Sequence, residues 1–445
     1  MKGPSIQVPP PGPNAKKIIE RDTRYLITST KTAPVVAARA EGVYVEDVDG
    51  NVFLDLTSGI GVTNTGHGNP RVVKAVQEQA AKFIHYAGTD FYYDQQVTLA
   101  ERLSELVPGD FEKKTFFTNS GTESNEAALK LCRFHTGRGQ FLAFHGGFHG
   151  RTMGSLSFTA SKPTQRARFF PTMPGVHHAH YANPYRNIWG IDGYAEPDEL
   201  VNRCIDYIED ILFQTTLPAG DVAGLFVEPV QGEGGYIVPP KGFFPALRKL
   251  CDRHGILLVA DEVQTGFGRT GKMFGMEHWG VAADITSLAK GIASGVPMGA
   301  TVARADLDFT YMGAHSNTYG GNPVAAAAAL ATIDALTLDG LVENAARQGP
   351  HLMAGLRELQ NKHPERVGDV RGLGLMVAID FVKDPRTKEY DTKLRDRVVE
   401  EALKRGLVLL PCGKSAIRFI PPLIITREEI DTTLRLFGEA TAAAL

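Results

Sequence analysis

Ile256-Leu257-Leu258-Val259-Ala260-Asp261-Glu262-Val263-Gln264 opens the stretch, running to Gly291, whose reading decides the fold. An apolar run that breaks into acids reads as a buried strand of a parallel sheet. Thr265-Gly266-Phe267-Gly268-Arg269-Thr270-Gly271 follows as a Gly-rich turn region. A second apolar-to-polar passage, Asp284-Ile285-Thr286-Ser287-Leu288-Ala289, delivers Lys290 and then Gly291. In open α/β sheets ligands sit beyond the carboxyl ends of strands, and Asp261 and Lys290 would project there.

A lysine amine condenses with aldehydes, and a carboxylate holds a ring nitrogen protonated. Together they are what pyridoxal phosphate requires. Taken alone the pair decides nothing, because an Asp at a strand end serves equally as a helix cap and most lysines are solvated. The rest of the chain has to decide.

A length of 445 residues predicts roughly two to three domains. With 43% apolar residues the chain has the composition of an ordinary globular enzyme with a large core. The formal net charge of −3 offers no electrostatic case for nucleic acid or an anionic membrane as partner. No apolar run approaches the ~18 residues of a membrane span. The proline-rich start, Pro9-Pro10-Pro11-Gly12-Pro13, lacks the plan of a signal peptide. Cys132, Cys204, Cys251 and Cys412 lie far apart, without zinc or redox spacing. A soluble, reduced, cytoplasmic protein is expected.

Residues 1–14 read as an extended Pro-rich arm, either packed on a partner or, more simply, loose. Lys16 to Tyr25 reads as a short helix, and Gly42 to Leu56 as a hairpin about an Asp-Gly-Asn turn. A Gly-rich loop, Ser58 to His67, precedes a helix begun by Asn69-Pro70, with another helix over Val97 to Val107. Short strands, Thr115–Phe117, Gln140–Phe144, Ala223–Val227 and Ile256–Ala260, then alternate with helices, which argues a mostly parallel, helix-covered sheet. Helices from Pro323 and from Gly340 precede strands around the Gly372-Leu373-Gly374 corner, a helix from Thr392, two more strands and a terminal helix. The expected organisation is an arm (1–14), the N-terminal part of a small domain (15–68), a large α/β domain (69–339) and a C-terminal α+β part of the small domain (340–445).

Ser120-Gly121-Thr122-Glu123-Ser124-Asn125-Glu126 follows a strand and opens a helix, whose free N–H groups suit a phosphate, although an ordinary N-cap also explains it. Phe148-His149-Gly150-Arg151 ends a loop: Phe148 could stack on a heteroaromatic ring and Arg151 could pair a carboxylate, or they are a core aromatic and a surface cation. Glu228-Pro229-Val230-Gln231-Gly232-Glu233-Gly234-Gly235 is a further strand end with two acids. His177-His178-Ala179-His180 lacks acidic or cysteine partners at ligand spacing, and no metal is expected.

With His315–Pro323 and Arg418–Leu423, these segments resemble the class III pyridoxal-phosphate-dependent aminotransferases over nearly the whole chain. The resemblance implies the α/β, aspartate-aminotransferase-like fold type I, with a mostly parallel large domain beside a smaller α+β domain. Within the family the chain is most similar to 4-aminobutyrate aminotransferases, through Thr65-Gly66-His67, Val107–Phe111, Cys251–Ile256 and Gly368–Gly374, with acetylornithine and ornithine aminotransferases close behind. It implies Lys290 as the residue that binds the cofactor aldehyde and shuttles a proton, and Asp261 on the pyridine nitrogen. Phe148 and Val263 would cover the two ring faces, and Gln264 would approach the phenolic oxygen. Gly121 and Thr122 would hold the phosphate, with Thr318 of a neighbouring subunit in a homodimer or dimer of dimers. Arg418 would bind the α-carboxylate of glutamate, Glu233 would neutralise that arginine when no α-carboxylate is present, Arg151 would take the distal carboxylate, and Ile60 would line the pocket.

Thr122, where Ser or Ala is usual, and Ser124-Asn125 depart mildly from that pattern. The implied reaction is ping-pong transfer from an ω-amino acid to 2-oxoglutarate. Class III racemases, epimerases and dialkylglycine decarboxylases share the cofactor and remain alternatives, as does a non-catalytic relative.

Overall fold

The computed structural model describes residues 3–445. Strands β1 (Ala37–Glu41), β2 (Tyr44–Asp47) and β3 (Val52–Asp55) form an antiparallel set near the N-terminus. The middle of the chain supplies β4 (Lys113–Thr118), β5 (Gln140–Phe144), β6 (Val176–Ala179), β7 (Val222–Val227), β8 (Leu257–Asp261), β9 (Ile285–Leu288) and β10 (Gly299–Arg304). These make one seven-stranded sheet in the order β4-β10-β9-β8-β7-β5-β6, parallel throughout except for β10. Strands β11 (Val367–Leu373), β12 (Met376–Phe381), β14 (Leu410–Cys412) and β15 (Ala416–Phe419) form an antiparallel C-terminal sheet, whereas β13 (Leu407–Val408) pairs in parallel with β3. N- and C-terminal segments therefore share a sheet.

The alternation expected from sequence is present, with four of the central strands within two residues of their expected bounds. Two were not anticipated. β10 is too short of polar alternation to stand out locally, and β6 is built from His177-His178-Ala179, which composition marks as metal-like rather than extended. Among the described residues no group of His, Cys, Asp and Glu is placed to hold a metal. No single helix is long and apolar enough to cross a membrane.

β7 and β8 are buried at every position, as a strand covered by helices on both faces must be. Asn69 caps the helix Pro70–Lys82 by accepting from the N–H groups of Arg71 and Val72, as Asn-Pro predicts. Helix Gly121–Thr136 ends on left-handed Gly137, and helix Phe243–His254 on left-handed Gly255. The alanine-rich helix Pro323–Leu338 is apolar nearly all round and lies inside the core.

The arm, expected to be loose, is held by its own chain over its described part. Ser5 exchanges two 2.8 Å backbone hydrogen bonds with Val52, and the Gln7 and Val8 N–H groups donate to Asn51 Oδ1 at 2.8 and 2.9 Å. Asn51 Nδ2 donates to Asp47 Oδ2 at 2.8 Å, which aims Oδ1 at the arm as a bracket, a role invisible without the fold; residues 1 and 2 lie outside the described residues.

Arg269 is fully buried and ties the turn after β8 to segments distant in sequence. Its Nη1 donates to the carbonyls of Leu375 (3.1 Å) and Pro421 (2.5 Å), and its Nη2 to Asn64 Oδ1 (2.8 Å) and Ser58 Oγ (3.3 Å). Burial pushes the guanidinium down to about 10. Arg269→Met should lower stability by about 2–4 kcal/mol: each buried acceptor left unpaired costs about 1–3 kcal/mol, and relief of a buried charge returns part of the total. A urea-denaturation midpoint indistinguishable from the parent's would refute this.

Candidate active site

Strands β4, β5, β7, β8 and β9 all run in one direction, so their carboxyl ends open onto one cavity of about 460 Å³. Each end contributes. Asn119, Ser120, Gly121 and Thr122 follow β4; Phe148 to Arg151 follow β5; Glu228 and Glu233 follow β7. Asp261, Val263 and Gln264 come from β8, and Ala289 and Lys290 from β9. Asp261 and Ser287 are register partners on adjacent strands, which brings the acid and the lysine to one floor.

Asp261 is almost completely buried and held by three partners. Its Oδ2 accepts from Asn125 Nδ2 and meets His149 Nδ1, both at 2.8 Å, while its Oδ1 accepts from the Val263 N–H at 3.1 Å. Asn125 Nδ2 also donates to the His149 backbone carbonyl at 2.7 Å, tying that loop to the helix. Burial alone would lower His149, but the hydrogen bond and charge of Asp261, helped by Glu228, raise it above the ordinary histidine value. The cluster therefore holds Asp261 as an acceptor of fixed direction beneath the cavity.

Lys290 sits at φ +48°, left-handed backbone that costs a non-glycine residue about 1–2 kcal/mol. Burial is the main influence on its amine and lowers it to about 8, against the opposing pull of Asp261. A useful fraction is then neutral and nucleophilic near neutrality. Burial raises the Glu228 carboxyl to about 7 although it accepts from the N–H groups of Phe148 and Gly232 at 2.9 Å each. Those bonds make Glu228 a brace for two cavity loops.

At the opposite side helix Gly121–Thr136 presents its first N–H groups, those of Gly121 and Thr122, before any intrahelical acceptor exists. A Cβ at Gly121 would lie 2.7 Å from Val263 Cγ1, so only glycine lets this backbone pass. The Thr122 hydroxyl meets Thr152 Oγ1 at 2.8 Å and Ser155 Oγ at 2.5 Å. Gln264 Oε1 and Asn125 Oδ1 are buried without a hydrogen-bond partner among the described residues. Orphaned acceptors around a cavity with a buried acid, a depressed lysine and open helix N–H groups fit a polar ring bearing a phosphate.

Beyond the floor, Arg418 on β15 is buried and stands behind Glu233, with Nη1 to Oε2 at 3.3 Å. Glu233 Oε1 accepts from Lys162 Nζ at 2.6 Å. Arg151 stands 5.9 Å from the Phe148 ring centroid and pairs with no carboxylate among the described residues. Of the residues expected at the substrate pocket, Arg151 and Glu233 line the cavity, whereas Arg418 and Ile60 lie outside its lining. Ile60 belongs to a left-handed turn, Ser58–Gly61, is 47% exposed, and is followed by Val62 in the wall. Gly61 closes that turn at φ +72°, left-handed backbone that favours glycine. Thr318 is exposed and lies outside this chain's own cavity.

The family model for class III aminotransferases matches residues 26–441. The chain belongs to that family. It is 40% identical over 99% of its length, and 93% of the relative's, to the alanine/serine racemase of Pyrococcus horikoshii. It is also 40% identical to the 4-aminobutyrate aminotransferase of Mycobacterium tuberculosis, over 94% of this chain and 93% of that one. Among solved structures, the PLP-bound amine transaminase from an uncultivated Pseudomonas species superposes with a TM-score of 0.87 at 36% identity, covering 95% of this chain and 98% of that one. The protein is a PLP-dependent aminotransferase of fold type I, with pyridoxal phosphate as cofactor and amino and keto acids as substrates.

His149, Asn125 and Lys162 were not assigned roles from sequence. His149 and Asn125 lie inside the quoted motifs, and Asn125 falls one turn after Gly121 on the same helix face, a spacing that could have flagged it. Nothing local flags Lys162.

Proposed function

We propose that this aminotransferase moves the amino group of 4-aminobutyrate to 2-oxoglutarate, yielding succinic semialdehyde and glutamate in two half-reactions. The observation that carries the reading is the buried Arg418 guanidinium screened by Glu233 at 3.3 Å, with Arg151, paired with no carboxylate among the described residues, lining the same cavity as Glu233. A donor without an α-carboxylate needs the arginine neutralised, because an unpaired buried charge costs about 3–5 kcal/mol. A keto acid with an α-carboxylate needs it free. A side chain that can supply or withdraw its charge serves both.

In this reading Lys290 would hold the cofactor by its aldehyde and carry a proton at Nζ beside the substrate. Asp261, steadied by His149 and Asn125, would keep the pyridine nitrogen protonated. Phe148 and Val263 would confine the ring, Gln264 would donate toward the phenolic oxygen, and the Gly121 and Thr122 N–H groups would hold the phosphate. The bound cofactor supplies an electron sink for the charge that develops at Cα. Arg151 receives the distal carboxylate of the donor. Ile60, two residues before the wall residue Val62, would line the rest of the pocket.

A homodimer completes the site in this proposal, with Thr318 of the second copy reaching the phosphate. Exposed Tyr92, Met312 and Tyr319 support an apolar surface for that copy.

A second reading, racemisation or epimerisation of an α-amino acid, is favoured by the racemase relative. The test is direct. Purified enzyme with 4-aminobutyrate and 2-oxoglutarate should release succinic semialdehyde, and faster than it converts ornithine or N-acetylornithine. Absence of that release, with inversion of alanine or serine in the absence of any keto acid, would overturn the proposal.

A further inference from the structure

We infer that Lys162 is a positioning residue that sets the balance of the Glu233–Arg418 pair, and so selects between dicarboxylic keto acids and donors lacking an α-carboxylate. The inference rests on the proposed roles of Arg418 and Glu233. Glu233 lies between two cations and favours the one outside the substrate pocket: 2.6 Å to Lys162 Nζ against 3.3 Å to Arg418 Nη1.

The surroundings leave only the Glu233 side chain to move. Its carbonyl accepts from the Gly413 N–H at 2.8 Å. Two residues on, the Gly235 carbonyl accepts from Arg371 Nε at 2.9 Å and Nη2 at 2.7 Å. Arg371 is itself held by Asp369 and Asp380 in the C-terminal sheet. Backbone travel at Glu233 is thereby blocked, and choice of cation is left to its χ angles.

Arg418 keeps donor capacity: beyond Glu233 and the neighbouring Tyr236 hydroxyl, its Nε is buried without a partner among the described residues. A guanidinium in that state gains most from an incoming planar carboxylate, which can take two N–H donors at once. The incoming group meets a second carboxylate, Glu233, close by. Unless that charge is drawn off and neutralised, like-charge repulsion opposes binding. Lys162, one-third exposed and outside the cavity lining, supplies the neutralising charge while Arg418 is occupied. Its loop is anchored on both sides of it, by Ser161 Oγ to Gln165 Oε1 at 2.6 Å and by Arg166 Nη1 to the Thr159 carbonyl at 3.3 Å.

Without Lys162 the carboxylate would settle on Arg418. Donors such as 4-aminobutyrate, which require that closed pair, would not suffer equally. The test uses the cofactor-loaded enzyme with Lys162→Met, Lys162→Arg, Glu233→Gln and the Lys162→Met/Glu233→Gln double variant. Glutarate, a dicarboxylate without the reactive oxo group, is titrated by calorimetry, and KM is measured for 2-oxoglutarate and for 4-aminobutyrate. Lys162→Met should weaken glutarate about tenfold and raise the KM for 2-oxoglutarate in parallel, with a smaller change or a fall for 4-aminobutyrate. Lys162→Arg should stay within about twofold of the parent, because the charge is retained.

In the Glu233→Gln background, removing Lys162 should change glutarate binding by less than about twofold, since no carboxylate remains to be held. An unchanged glutarate affinity in Lys162→Met would overturn the inference. So would an undiminished effect in the Glu233→Gln background, which would make Lys162 a direct ligand contact. Failure of the parent to use 4-aminobutyrate would instead remove the donor assignment, and the glutarate comparison would still decide the role of Lys162.

Discussion

Lys290→Ala should reduce transamination by about four orders of magnitude or more, because the side chain is asked to act both as nucleophile and as proton carrier. The structure supports both demands. The residue is held in left-handed backbone at the end of β9, and burial lowers its amine to about 8. The acid across the floor, Asp261, is a carboxylate fixed by Asn125, His149 and the Val263 N–H, and a carboxylate cannot condense with an aldehyde in the lysine's place. Borohydride treatment followed by intact mass measurement offers a second readout: the parent should retain the cofactor's mass covalently and the variant should not. Undiminished turnover in the variant would remove the basis of the whole mechanism.

The pH dependence follows with a definite sign. An ordinary lysine amine titrates near 10.5, and here the value falls to about 8. Capture of pyridoxal phosphate by the apoprotein should therefore rise up to about pH 8 and flatten above it, instead of climbing toward 10.5. Between those values the unfolded chain holds a proton that the native apoprotein has lost. This term alone makes the apoprotein more stable as pH rises through that window.

Asp261→Asn is the second large expected effect, a loss of about 10²–10⁴ in the rate of each half-reaction. The substitution keeps shape and removes charge. His149, buried beneath, owes its raised pKa to the Asp261 bond and charge against the cost of burial. Without that charge burial should prevail, and the imidazole should turn neutral in the physiological range. Single-turnover absorbance measurements with donor alone read the rate, and NMR titration of His149 reads the proton. A loss smaller than tenfold would show that ring protonation does not depend on this acid.

Much of the site was legible before the fold. Asp261 and Lys290 stand where short apolar runs break, and a strand end is defined by its own few residues. Gly121, Thr122, Phe148, Arg151, Glu233 and Gln264 lie in similar breaks, and parallel strands deliver such breaks to one edge. Asn69-Pro70 announced its helix because a cap is a local hydrogen-bonding pattern.

What escaped was of another kind. The antiparallel β10 depends on partners at Thr115–Thr118 and Ile285–Leu288, far from it in the chain. The N-terminal arm is fastened by Asn51, and the left-handed turn Ser58–Gly61 is followed by Val62 in the cavity wall. By itself, the sequence determined the strand–helix alternation, the acid and the lysine at adjacent strand ends, and the class of cofactor they serve. These depend on periodicity and residue chemistry within short windows. Tertiary structure alone decided that His149 and Asn125 grip Asp261, that Arg269 joins distant segments, and that Glu233 is divided between Lys162 and Arg418. Hydrogen bonds and ion pairs act over about 3 Å, and only packing of remote segments determines which groups come that close.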